Sequence, residues 1–142
     1  MPSVLQPKGY QILHVDDDPL NLRVVADVVG CFGHQAFGAC SGSLALEELG
    51  SRVFDLVLLD IHMPGMSGIE VLRRLRESVG PERWTPVIAL TADTYSRTRQ
   101  NYLDLGFQDL VVKPILVAQL LDTVVNVINA AGQATERRLR SA

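Results

Sequence analysis

Cysteine is scarce in this sequence: only Cys31 and Cys40 occur among 142 residues. A chain of that length can bury a core without covalent staples, so a disulfide framework has no motive and a reducing cytoplasm is the simplest setting. Positive charge is also in short supply. The formal net charge of -3 gives no general attraction to nucleic acid or to anionic membranes, both of which ask for a basic surface. No apolar run approaches the ~18 residues that a membrane span needs. The first residues, Met1 to Gly9, carry Pro2, Pro7 and Lys8 where a secretory leader would be apolar. Repeats and low-complexity segments are missing too. Lysine is almost unused: after Lys8 only Lys113 occurs, and every other basic side chain is arginine. These absences leave a soluble domain that neither inserts in a membrane nor is exported.

What is present is a chain that is 47% hydrophobic, enough for one core and too short for two comfortable domains. Short apolar runs alternate with longer segments of helical period, as in a parallel sheet covered by helices on both faces. Strands are expected over Gln11 to Val15, Gln35 to Ala39, Asp55 to Leu59, Val87 to Leu90 and Leu110 to Val112. The third has no polar alternation and should be central. Asp18-Pro19 opens the first helix with a capping carboxylate and a proline at the first helical position. Its inward face should be Leu22, Val25, Val29 and Phe32. Ala45, Leu46 and Leu49 line a second helix, and Ile69, Leu72 and Leu75 a third that runs to about Val79. The helix from roughly Tyr95 to Leu105 is mostly polar and should be the least anchored, with Tyr95, Tyr102 and Leu105 as its buried stripe. The last helix, Ile115 to Ala131, turns Val117, Leu120, Leu121, Val124 and Ile128 inward and is capped by Gly132. The organisation is then an N-terminal extension over 1–9, a domain over 10–131 and an arginine-rich tail or linker over 132–142.

In open parallel α/β sheets ligands sit beyond the carboxyl ends of the strands. There the sequence places Asp16 and Asp17, Asp60, Thr91 and Lys113. Carboxylates that converge without a partner repel one another, unless a cation compensates them. Magnesium suits this set better than zinc or calcium, because it takes oxygen ligands, keeps waters and is usually held by one or two carboxylates plus a phosphate. The Lys113 ammonium and the Thr91 hydroxyl would supply a charge and a donor for the oxygens of a phosphoryl group on Asp60. Phosphoryl transfer needs little more, being mainly positioning and charge neutralisation. Taken singly, the residues have duller readings. Asp60 could merely initiate the turn at Pro64 and Gly65, Thr91 could favour a strand end, and Lys113 could be a solvated charge. Their agreement at the strand ends outweighs these. The Asp60-x-His62 pair is a poor zinc site. His14 and His34 have no assigned role.

With these residues in place the chain resembles the receiver domain of two-component response regulators over about Tyr10 to Ala131. The motifs that carry the resemblance are Val15-Asp16-Asp17-Asp18-Pro19, Leu59-Asp60-Ile61-His62-Met63-Pro64-Gly65-Met66-Ser67-Gly68, Leu90-Thr91-Ala92 and Val112-Lys113-Pro114. The resemblance implies a flavodoxin-like (βα)5 sandwich with strands in the order 2-1-3-4-5. It implies phosphorylation of Asp60 by a sensor histidine kinase, a phosphotransfer protein or a small acyl phosphate. Asp17, Asp60 and the backbone carbonyl of His62 would hold Mg2+, with Asp16 acting through water or directly. It also implies a cis peptide before Pro114 and a regulatory domain that catalyses its own phosphorylation and dephosphorylation and is not an enzyme for a separate substrate. His62 and Asp93 flank the acceptor and would either tune dephosphorylation or be simple exposed polar residues. One departure is Leu110, at a position where the family carries Tyr or Phe. A leucine cannot swing a ring between exposed and buried positions, so the readout would pass through Thr91 and the weakly anchored fourth helix.

The leading functional expectation is a cytoplasmic phosphorelay switch whose output is contact with a downstream protein effector, without nucleic acid. A second places the same chemistry in a hybrid histidine kinase, relaying phosphate to a phosphotransfer histidine. A magnesium-dependent phosphohydrolase would want a second acid where His62 stands, and a module that takes no phosphate would have lost an acidic or lysine position. A homodimer is a further option, to which Arg97, Arg99 and Asp122 could contribute or be ordinary solvated charges.

Overall fold

The computed structural model describes residues 9–93 and 95–141. Five strands, β1 (Gln11–Val15), β2 (Gln35–Ala39), β3 (Leu56–Asp60), β4 (Val87–Thr91) and β5 (Asp109–Val112), form one sheet in the order β2-β1-β3-β4-β5. All adjacent pairs are parallel, so the chain returns across a face between strands through α1 (Pro19–Gly30), α2 (Gly42–Ser51), α3 (Gly68–Glu77) and α4 (Arg99–Leu105). Helix α5 (Val117–Ser141) follows the last strand. This is the flavodoxin-like arrangement that the motifs imply. The register sets Asp60 beside Leu90 and Thr91 beside Val112, which brings successive strand ends to one rim.

Strand side chains alternate between faces, and here both faces are covered. Leu13, Val15, Val57, Leu59, Val87 and Ala89 meet Ala45, Leu49, Val71, Leu72, Leu75 and Tyr102 from α2, α3 and α4. Ile12, Leu56, Leu58, Ile88 and Leu90 meet Val25 and Val29 of α1 and Leu120, Val124 and Val127 of α5. Every residue of β3 is buried, so it is the central strand its composition announces. Asp18 caps α1 by accepting from the Leu20 amide at 3.0 Å.

The helix ends depart from expectation. Helix α1 stops at Gly30 and leaves Phe32 exposed. Helix α3 ends at Glu77, before a 3-10 turn over Pro81–Trp84 that leads into β4. Helix α4 begins only at Arg99, because the Asp93 carboxylate accepts from the amides of Tyr95 and Ser96 and holds that stretch in a turn. Tyr95 and Leu105 are therefore exposed, and Tyr102 alone anchors the helix in the core. The correction at the C-terminus is larger. Gly132 does not cap α5; the helix continues to Ser141, so the expected tail is helical. A mid-helix glycine costs only about 1 kcal/mol, and Arg138, lying 4.5 Å from the Trp84 ring centroid, ties the added turns back to the domain. Within α5 the side chain of Val117 faces solvent and Val127 faces in. Most of the expected N-terminal extension, residues 1–8, lies outside the described residues.

Candidate functional site

The aspartates after β1 are set by backbone first. The Asp16 amide bonds the Ala39 carbonyl of β2 at 3.1 Å, which extends the sheet to the first acid and turns its side chain inward. Asp16 is buried, and its Oδ1 accepts from the Asp18 amide at 2.9 Å. Its Oδ2 accepts from Asn21 Nδ2 at 3.2 Å and from Lys113 Nζ at 3.3 Å. Asp17 is exposed at the rim. Asp60 ends β3 with its carboxylate buried, 3.3 Å from the same Lys113 Nζ and bonded by the His62 amide. One carboxylate oxygen each from Asp16, Asp17 and Asp60 lies within 4.8 Å of the others.

The turn after Asp60 is fixed by glycine. Gly65 takes φ +78, a left-handed conformation that a side chain resists. Gly68 opens α3, donates to the Ile61 carbonyl at 3.0 Å, and has no room for a Cβ, which would lie 2.4 Å from the Asp60 carbonyl oxygen.

Burial raises the Asp60 carboxyl above the usual carboxylate range, Lys113 opposes that rise, and Asp16 adds to it. An acid so placed gains from a second cation. The fit to Mg2+ therefore rests on the donor set itself: carboxylate oxygens only, clustered and incompletely neutralised by one ammonium.

Thr91 is buried at the end of β4, with Oγ1 accepting from the Asp93 amide at 3.0 Å. Its carbonyl accepts from the Lys113 amide at 2.8 Å, so Thr91 and Lys113 share one backbone link. The Lys113–Pro114 bond is cis. Leu110 is half-buried against the cluster that includes Tyr102 and Phe107.

Several residues with candidate roles also have contacts within the chain. Asp93 is held down to about 2, mainly by the Ser96 hydroxyl, and spends its carboxylate on the Ser96 turn. The His62 side chain is exposed, while its amide serves Asp60. Arg99 Nε pairs with Asp109 Oδ1 at 3.0 Å within the chain, and Asp122 is exposed. His34 caps the Tyr10 amide through Nδ1 at 3.1 Å and stacks on the Tyr10 ring.

His14 was missed by sequence reasoning. It is buried on the same sheet face as Asp16, and neither ring nitrogen has a hydrogen-bond partner among the described residues. Nε2 lies 3.9 Å from Asp16 Oδ2. Burial lowers its pKa to about 4, against the pull of Asp16 and aided by Lys113, so the ring is neutral at pH 7. The signal available was the strand period, which puts residues 14 and 16 on one face.

The response regulator receiver domain family matches residues 12–125. The chain belongs to this family. Among curated relatives, this receiver is 33% identical over 125 residues to the autoinducer 2 sensor kinase/phosphatase LuxQ of Vibrio vulnificus, covering 88% of the chain and 14% of that protein. It is 37% identical over 112 residues to the aerobic respiration control sensor protein ArcB of Escherichia coli, covering 79% of the chain and 14% of ArcB. The receiver thus spans a small fraction of these relatives. Among solved structures, it is similar to the receiver domain of sensor histidine kinase PA1611 of Pseudomonas aeruginosa, with magnesium coordinated in its active site cleft. That likeness has a TM-score of 0.77 and 29% identity, over 85% of this chain and 98% of that one. The chemotaxis protein CheY4 of Vibrio cholerae follows the same fold, with a TM-score of 0.76 and 28% identity over 84% and 98% of the two chains. No helix among the described residues is long and apolar enough to cross a membrane.

Proposed function

We propose that Asp60 is the phosphoacceptor of this receiver, and that Asp16, Asp17, Asp60 and the His62 carbonyl hold Mg2+. The observation that carries the reading is Lys113 Nζ standing 3.3 Å from both the Asp16 and the Asp60 carboxylates at the carboxyl rim of the sheet. A carboxylate oxygen of Asp60 attacks phosphorus in line with the leaving group. From phosphohistidine the P–N bond breaks and the imidazole takes up a proton; from acetyl phosphate the P–O bond breaks and acetate leaves. The divalent ion, when bound, neutralises charge on the phosphoryl oxygens. Lys113 supplies a second positive charge to those oxygens, and the Thr91 hydroxyl, whose oxygen accepts from the Asp93 amide, keeps its own hydrogen to donate to them. The same groups poise a water for hydrolysis of the acyl phosphate, so the domain regulates its own lifetime. Histidine kinases or phosphotransfer proteins would be its donors in the cytoplasm, with contact to an effector protein as its output.

The test is intact-mass spectrometry after incubation with acetyl phosphate and Mg2+. A single phosphate adduct is expected, absent from Asp60→Ala and from a magnesium-free control; an adduct that survives Asp60→Ala would overturn the assignment.

Leu110 favours a second context, the relay receiver of a hybrid kinase, since a relay needs no aromatic ring to swing. The sensor-kinase relatives support it. Transfer of phosphate from the adduct to a purified photransfer-competent histidine domain would favour the relay, and hydrolysis alone the stand-alone switch.

A further inference from the structure

The amino end of the sheet, opposite Asp60, carries a groove of about 610 Å³ between the 3-10 turn, the entries to β4 and β5, and the second half of α5. Its apolar wall includes Pro86, Val127, Ala131 and Ala134, and Arg76, Arg83 and Arg138 line it as well. Arg76 is the best fixed of the three. Its guanidinium donates to the carbonyls of Arg83 at 2.9 Å, Thr85 at 2.7 Å and Gly106 at 3.2 Å, and to Gln108 Oε1 at 3.0 Å. Every one of those acceptors is neutral. Arg83 donates to the Val79 carbonyl and Arg138 to the Thr135 hydroxyl, again neutral partners. Among the described residues, none of the three guanidiniums lies within ion-pair distance of a carboxylate. Asp109 also lines the groove, but it is occupied by Arg99 and by the Leu110 amide.

Trp84 stands between the basic and apolar parts. It is 53% exposed, with the Arg83 guanidinium 5.1 Å and the Arg138 guanidinium 4.5 Å from its ring centroid. Cation–π contact holds the two arginines beside the indole and, among the described residues, leaves their N–H forks unpaired with any acid. Large aromatic and arginine side chains around an apolar floor are the composition of an interface centre.

We propose that this groove docks an acidic, amphipathic segment of a partner protein, with carboxylates on Arg83 and Arg138, beside the fixed charge of Arg76, and an apolar side chain on the Val127, Ala131 and Ala134 floor. Charge complementarity selects an anion, and a planar guanidinium matches a carboxylate in bidentate fashion. The floor selects among anions: a nucleic-acid backbone has no apolar side chain to set there, and the net charge of -3 repels a polyanion at longer range. The surface is remote from the phosphoacceptor, so it recruits a partner without obstructing the chemistry.

Trp84 is the only tryptophan in the chain, so its emission reports directly on this groove. The probe is a short synthetic peptide alternating glutamate with leucine, titrated into the full chain beside its glutamine analogue and ATP. A saturable change in Trp84 emission with the acidic peptide alone is expected. Arg83→Gln and Arg138→Gln should each weaken it about tenfold and leave adduct formation at Asp60 unchanged. Both residues are at the surface, and unchanged circular dichroism would verify the fold. No saturable change, equal binding of the glutamine analogue, stronger binding of ATP, or indifference to both substitutions would each overturn the proposal.

Discussion

At the carboxyl end of the sheet, acids outnumber bases: Asp16, Asp17 and Asp60 crowd around the single ammonium of Lys113. At the amino end the balance is reversed, with Arg76, Arg83 and Arg138 around a groove whose Asp109 is already paired with Arg99. The two ends are built differently. Strand ends carry the acids, and Asp16 and Asp60, locked by sheet register and burial, put two carboxylates against one ammonium inside the molecule. A helix end, a 3-10 turn and α5 carry the arginines, of which Arg83 and Arg138 hold their charge at the surface beside Trp84. Buried surplus charge calls for a small hard ion and a phosphoryl group, whereas exposed surplus charge beside apolar surface suits a partner's side chains. Lysine and arginine are sorted accordingly, the compact ammonium going to the carboxylate-rich end.

The sharpest way to break this comparison is to exchange the cations. Lys113→Ala should slow adduct formation from acetyl phosphate by roughly 10²–10³-fold, and Lys113→Arg should fail to restore it. Trp84 emission should be unchanged in both, so a shift there would show that the two ends are not independent. A rate within a few-fold of wild type for Lys113→Arg would break the sorting argument.

A smaller effect concerns His14, whose folded pKa near 4 lies below its ordinary 6.5. The unfolded chain takes up a proton that the folded chain refuses, so stability declines as the pH falls from about 6.5 to about 4, by up to ~3 kcal/mol. Denaturant titrations across that range, in the absence of divalent ions, should show a flatter pH profile for His14→Leu. A profile parallel to wild type would mean that the ring is not the proton acceptor.

The smallest effect expected is a gain. Because burial raises the Asp60 carboxyl, its ionised form costs stability above that raised pKa, and the cost fades as the pH drops through it. Asp60→Asn should therefore raise Tm at neutral pH without metal, and the advantage should narrow toward acid. A lower Tm at neutral pH would show that the Lys113 pair outweighs desolvation.

The carboxyl end was largely legible in the sequence and the amino end was not. Buried parallel strands write themselves as continuous apolar runs, and Leu56-Val57-Leu58-Leu59 or Val87-Ile88-Ala89-Leu90 deliver the next side chain to the rim, so Asp60 and Thr91 could be placed at once. Helix limits are set by tertiary contacts that have no local mark. Gly132 reads as a stop, yet the contact between Arg138 and Trp84, far apart in sequence, carries α5 past it. Tyr95 reads as a buried aromatic, yet the Asp93 turn leaves it in solvent. The groove draws on α3, the 3-10 turn, the strand entries and α5, and no single stretch of sequence announces it.

Gly68 has a mechanical meaning. With no Cβ, the first residue of α3 is seated directly on the carbonyl of Asp60 and on Ile61, whose Cα would be 2.9 Å from a side chain there. A joint made backbone to backbone has no compliant padding. A shift of the Asp60–Ile61 backbone would therefore bear on the first turn of α3 with no side chain between them.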